Sequence, residues 1–136
     1  MALQLDVITP ERRLLSEQAD SVTLPGRGGE LGILPGHTPL ISELQTGVLS
    51  YTRGAETRRL LVSGGFVEVN DDRVSVLADL AEFPEEVDAA RARAERDEAE
   101  RRLGAFTGPP EELAEVQAQL ERASTRLQLA APDAAR

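Results

Sequence analysis

The chain has no cysteine and no lysine, so all fifteen of its basic residues are arginine. Without cysteine there are no disulfides, no thiolate ligands and no thiol nucleophile, which fits a reducing compartment. Without lysine there is no phosphate-loop lysine, Schiff-base lysine or lysine general base. Aromatic residues make up only 3% of the chain, which leaves few stacking platforms for bases or sugars. No apolar run reaches the length needed to span a bilayer. The start, Met1 to Val7, lacks the basic and apolar regions of a secretory signal, so none is expected. Basic charge is also scarce: the net charge is -9. That excess opposes binding to nucleic-acid phosphates and to anionic lipid headgroups, so any membrane association should run through a protein partner.

What is present is globular composition, with 40% hydrophobic and 29% charged residues in 136. Up to about residue 83 the chain reads as strands. Leu3, Leu5 and Val7 alternate with Gln4 and Asp6, the period of a half-buried strand. Short apolar segments follow at Arg13 to Ser16, at Val22 and Leu24 (stopped by Pro25 and Gly26), at Leu31 and Ile33, and at Leu40, Ile41 and Leu44. Gly47 to Thr52 and Thr57 to Ser63 flank a turn at Arg53 and Gly54. Phe66 to Val69 and Arg73 to Leu77 flank Asn70, Asp71 and Asp72, a hairpin by its turn residues. Many short strands with no helical period between them predict an all-β unit, a sandwich or a barrel, up to about residue 84 and disfavour a parallel βαβ fold.

From Pro84 the period changes. Glu85 and Glu86 suit a first helical turn and Arg101 and Arg102 a last one, each matching the helix dipole. Gly104 suits the position just past a helix end, and Gly108, Pro109 and Pro110 suit a loop. A second helix should begin at Glu111 and Glu112 and end near Pro132. Its stripe is Leu113, Val116, Leu120, Ala123, Leu127 and Ala130, facing a poorer one of Ala89, Ala92, Ala99 and Leu103 with Arg96 inside it. This predicts an antiparallel two-helix hairpin over 85–136. Its large apolar side chains are few, while each ordered residue costs about 1–2 kcal/mol of backbone entropy. An i,i+4 pair, Glu98 to Arg102, adds a few tenths of a kcal/mol. The helices should form readily and hold each other weakly, which suits either a fixed appendage or an element that undocks at low cost.

No catalytic constellation emerges. The glycines at 26, 28, 29 and 32 lack the spacing and strand-to-helix setting of a dinucleotide fingerprint, so they read as turn glycines. His37 is the only histidine, and Glu30 and Glu43 add carboxylates without metal-ligand spacing. His37 therefore reads as structural or interfacial, and an acid/base enzyme built on Glu30, His37 and Glu43 is a remote alternative. Ser63 before Gly64 and Gly65 is not a nucleophile elbow, and those glycines suggest a bulge or close backbone approach. A second alternative is a free-standing ligand-binding sandwich with a helical appendage.

Several ordered segments carry a resemblance. They are L-D-V-I-T-P-E-R from Leu5, the stretch Ala19 to His37 followed by T-P-L, S-G-G-F-V-E-V at Ser63 to Val69, V-S-V-L-A-D at Val74 to Asp79, and V-D-A-A-R-A at Val87 to Ala92. Together they resemble the epsilon subunit family of bacterial F-type ATP synthases, over nearly the whole chain. The resemblance implies an N-terminal antiparallel β-sandwich over 1–84, a two-helix C-terminal domain and a non-catalytic place at the foot of the central stalk. It implies three partners: the gamma subunit, the c-subunit ring and the alpha/beta catalytic head, the last reached by C-terminal helices that inhibit ATP hydrolysis when extended. It implies a peripheral location at the cytoplasmic face of the bacterial inner membrane. Glu30, Gly32 and His37 become candidate contacts to gamma and the c ring, with Glu30 at the position that touches the ring's polar loops. No catalytic cofactor is implied. Some similar bacterial members bind a regulatory ATP, which would fall here on Glu82, Asp88, Arg91, Arg122 and Arg126. Those members carry an arginine ten residues beyond the motif's Asp, where this chain has Glu98, and that charge reversal opposes nucleotide binding.

Overall fold

The computed structural model describes residues 2–130. The chain divides into two compact units, Met1–Phe83 and Pro84–Arg136. In the first, ten strands form: β1 (Leu3–Ile8), β2 (Arg13–Ala19), β3 (Ser21–Gly26), β4 (Gly29–Ile33), β5 (Leu40–Glu43), β6 (Gly47–Arg53), β7 (Glu56–Ser63), β8 (Phe66–Asn70), β9 (Arg73–Leu77) and β10 (Leu80–Glu82). They make two five-stranded sheets, ordered β2-β1-β9-β8-β5 and β10-β7-β6-β3-β4. The predicted alternation has its counterpart in burial. Leu3, Leu5 and Val7 are buried with Leu24, Ile33, Leu49, Leu60, Val62, Val67, Val69, Val74 and Val76 in one cluster between the sheets. Each such aliphatic side chain is worth about 1.5–3 kcal/mol when fully buried.

Turn chemistry sets the register. Asp71 and Asp72 both have positive φ, 50° and 58°, between β8 and β9. Two successive left-handed residues match the twist of a tight hairpin, and aspartate tolerates that conformation better than most residues. The Asp72 carboxylate also accepts the Gly36 N–H at 2.7 Å, tying the loop after β4 to this turn. Gly64 and Gly65, at φ +70° and +92°, lie between β7 and β8, where the chain leaves one sheet for the other, and not within a strand. A Cβ on Gly65 would lie 2.0 Å from the Leu77 carbonyl oxygen, so the close approach expected of these glycines is met.

Two local expectations are corrected, and one strand is added. The sandwich is not wholly antiparallel, because β1 pairs parallel to β9, Gln4 opposite Arg73 through Ile8 opposite Leu77. These strands are joined through seven others, so no short hairpin dictates their direction. Pro25 and Gly26 do not stop β3, since Pro25 pairs with Glu30 and Gly26 with Gly29. The ladder to β6 covers only Ser21 to Thr23, so the missing proline N–H lies beyond it and costs nothing there. Finally, β10 adds a three-residue strand too short to show a period.

The second unit opens with a 3-10 turn, Pro84–Glu86, followed by α1 (Ala89–Gly104) and α2 (Pro110–Ala130). Glu85 and Glu86 therefore occupy that turn and not the first turn of α1. Asp88 holds an extended backbone (φ -89°, ψ 103°) and its side chain accepts the Arg91 N–H, making it the N-cap that the two glutamates, with longer side chains, do not supply. Gly104 is the last residue of α1 and Ala105 the C-cap. Pro110 begins α2, where its fixed φ fits and its missing N–H is not needed. Arg102 meets Gln119 and Glu95 meets Arg126, so the helices run antiparallel. The buried seam is Ala92, Ala99, Val116 and Ala123. The expected end near Pro132 lies outside the described residues.

Candidate interaction surfaces

The tip of the β3–β4 hairpin carries Glu30. It is cinched to the end of β5: the Arg27 N–H donates to the Glu43 carbonyl at 3.0 Å and the Gln45 N–H to the Pro25 carbonyl at 2.9 Å. The Gln45 side-chain amide donates to the Arg27 carbonyl at 2.9 Å, and the Arg27 guanidinium pairs with the Glu43 carboxylate. Gly29, at φ +133°, takes a backbone that other residues avoid, and a Cβ on Gly26 would strike the Gly29 carbonyl at 2.8 Å. These glycines therefore make a tight turn with no phosphate cradle. Glu30 and Gly32 are exposed on β4, the latter opposite Thr23.

His37 closes a turn, donating its backbone N–H to the Leu34 carbonyl at 3.1 Å, and its Nδ1 lies 2.7 Å from the Thr38 carbonyl. That carbonyl only accepts, so Nδ1 carries the proton. His37 precedes the Leu40 end of β5, beside the β8–β9 turn, whereas Glu43 forms the other end opposite Phe66. The acid/base grouping of Glu30, His37 and Glu43 is thus not assembled, because His37 and Glu43 sit at opposite ends of a strand. Among the described residues, no group of three or more His, Cys, Asp or Glu could hold a metal ion.

One feature escaped the sequence reading. Phe66 pairs with Leu77, and Leu77 with Ile8, across β8, β9 and β1. Facing residues in adjacent strands share a sheet face, so these three lie together, with Ile41 diagonal to Phe66 through Glu68. Ile41 is 70% exposed, Phe66 52% and Leu77 53%. The signal was available: Phe66 alternates with buried Val67 and Val69, which puts an aromatic ring on the solvent side.

In the second unit, α1 and α2 bring Arg91 and Arg126 to one carboxylate. Arg91 Nε lies 4.0 Å and Arg126 Nη1 3.7 Å from Glu95 oxygens. Asp88 is engaged as the N-cap, its Oδ1 3.1 Å from the Arg91 backbone nitrogen. Arg122 is half-buried one turn before Arg126. Glu82 ends β10 in the first unit, opposite Leu61. Arg101 grips both oxygens of Glu98, and the charge of Arg102, the expected i,i+4 partner, attracts the same carboxylate more weakly. The hydrogen bond from Arg101 holds the Glu98 carboxyl below its ordinary range. Arg102 instead donates to Gln119 Oε1 at 3.0 Å across the helix pair.

Comparison with known proteins adds the family. Residues 2–84 match the model of the ATP synthase delta/epsilon chain β-sandwich domain, and residues 85–131 that of its long α-helix domain. The chain is 44% identical over 128 residues to ATP synthase epsilon chain 2 of Syntrophotalea carbinolica, covering 94% of this chain and 93% of that protein. It is 48% identical over 128 residues to the ATP synthase epsilon chain of Dehalococcoides mccartyi, covering 94% and 91%. Its fold superposes at TM-score 0.79 on a chain in the Euglena gracilis mitochondrial ATP synthase, at 24% identity and covering 91% of this chain and 78% of that one. Sandwich, hairpin and relatives agree: the chain belongs to the ATP synthase delta/epsilon family, as a non-catalytic subunit of the epsilon type.

Proposed function

We propose that the chain is a rotor subunit of the central stalk of a bacterial F-type ATP synthase. Its sandwich binds gamma and the c ring, and its helical hairpin restrains ATP hydrolysis at the alpha/beta head. The observation that carries this reading is the apolar face formed by exposed Ile41, Phe66 and Leu77 with half-buried Ile8. Apolar residues gathered on one sheet face mark a docking surface, and gamma is the occupant this reading assigns. The cinched tip with Glu30 offers a separate acidic contact suited to basic groups on the ring, and His37 falls among the gamma contacts. Among the described residues no helix is long and apolar enough to cross a membrane. The proposed location is therefore peripheral, at the cytoplasmic face of the inner membrane, held there by protein contacts.

The hairpin's part in this reading rests on its thin seam of three alanines and one valine. Such an element opens at low cost. Regulatory ATP on Glu82, Asp88, Arg91, Arg122 and Arg126 is expected to be weak, since Glu98 stands where ATP-binding members carry an arginine. Phe66→Asp should abolish capture of purified gamma while leaving the melting temperature within a few degrees of wild type. An exposed position contributes roughly 0.5 kcal/mol or less to folding. Gamma capture at wild-type strength by the folded variant would remove this face from the interface.

A further inference from the structure

Glu95 is the carboxylate on which the two helices converge. Its neighbours one turn away on α1, Ala92 and Ala99, are buried in the seam, and so is Ala123, one turn before Arg126 on α2. The pair therefore borders the dry part of the hairpin. Arg126 is 19% exposed at its side chain and Glu95 34%, against 69% and 47% for Arg101 and Glu98. Less solvent reaches the pair between the helices, so salt screens it less than a surface pair.

The two arginines differ in what opening would do to them. Arg91 is on the same helix as Glu95, one turn earlier, and keeps that partner whether the hairpin is closed or open. Arg126 is on α2, and its contact exists only while α2 lies against α1. Only an interaction that differs between two states shifts their ratio. Glu95–Arg126 meets that condition and Glu95–Arg91 does not; Arg91 serves to aim the carboxylate. Glu98, bound by Arg101 on its own helix, also drops out.

We propose that Glu95 and Arg126 form an ionic clasp that sets the closed-to-open ratio of the hairpin, an anion built into the chain doing the work of a diffusible ligand. This deepens, and rests on, the reading of the hairpin as a brake. A free anion would meet Arg91 and Arg126 already holding a tethered carboxylate, whose effective concentration is high because α1 fixes its position.

The test uses the full chain, whose lack of cysteine allows two spin labels at exposed sites, Arg93→Cys on α1 and Ser124→Cys on α2. Pulsed distance measurements then give the fractions closed and open. Glu95→Gln should raise the open-to-closed ratio about threefold to tenfold, the range of a pair somewhat stronger than a surface one. It should also flatten the response to salt. The charge swap Glu95→Arg with Arg126→Glu should restore closure, which guards against simple damage to α1. An unchanged ratio in Glu95→Gln, or opening in both single variants that the swap fails to reverse, overturns the clasp. Hydrolysis by the assembled complex separates the clasp from the brake. Opening with unchanged hydrolysis upholds the clasp and removes the brake; an unchanged ratio removes the clasp even if hydrolysis rises when the hairpin is deleted.

Discussion

The sandwich and the hairpin are stabilised on different scales. Between the sheets lie leucines, valines, an isoleucine and Tyr51, drawn from strands far apart in sequence. Tyr51 is held there with its hydroxyl donating to Glu17 at 3.1 Å. Between the helices lie Ala92, Ala99, Val116 and Ala123 as the fully buried residues, while Leu103, Leu113, Leu120 and Leu127 are only half-buried. A methyl group removes far less apolar surface from water than an isobutyl group, so the seam gains little per residue ordered. In the sandwich, packing dominates and individual ion pairs are minor. In the hairpin, the packing term is small enough for the proposed clasp to shift the populations. On the proposed reading, a molecule built this way keeps a rigid docking module while its helical part stays close to a conformational balance point.

The largest expected effect tests the rigid side. Leu5→Ala removes most of a fully buried side chain on a strand paired on both sides, and should cost about 2–5 kcal/mol of sandwich stability. Chemical denaturation monitored by the near-ultraviolet signal of Tyr51 gives the value. A cost below about 1 kcal/mol would erase the contrast drawn between the two cores. Next in size is Ala99→Leu, which forces three extra carbons into a fully buried position in the seam. Overpacking costs about 1–3 kcal/mol, enough to separate α1 from α2 while sandwich unfolding stays unchanged. Wild-type helix-to-helix distances in this variant would mean a roomier seam than its burial indicates.

How far the fold was legible follows from where the periods are clean. Leu3, Leu5 and Val7 announce β1 because each polar neighbour points outward. Asp6 lies on that outer face too, covered by its neighbours and satisfied by the Ser16 hydroxyl at 2.7 Å. The parallel pairing of β1 with β9 was not legible, because local pattern carries no information about a contact between distant strands. Pro25 looked like a stop because a proline interrupts a ladder only where an N–H is demanded, and that depends on β6. In the helices the seam was read correctly from spacing, but the start of α1 was placed too early, since an aspartate cap outweighs a pair of glutamates. For the candidate sites, the charge at Glu98 drew attention by its departure from a family pattern. Glu95, which touches both arginines, was passed over because only the folded hairpin brings Arg126 to it.

The smallest expected effect belongs to Glu98. Its carboxyl titrates below the ordinary range because Arg101 stabilises the charged form. The contribution is therefore complete above the unfolded value, about 4.3, and fades as pH falls through the lower folded one. Helix content of the wild type should decline slightly as pH falls below the ordinary carboxylate range, and Glu98→Gln should show less of that decline. Identical acid profiles in the two proteins would mean the pair is too well solvated to matter.

Deleting the chain after Glu86 tests the division of labour most directly. The strand unit closes its own core before Pro84, so the truncated protein should stay folded, bind gamma and support assembly and ATP synthesis. ATP hydrolysis by the reconstituted complex should then exceed that of the complex with the full chain. Equal hydrolysis rates, with the truncated sandwich folded and bound, would contradict a hairpin that acts as a brake.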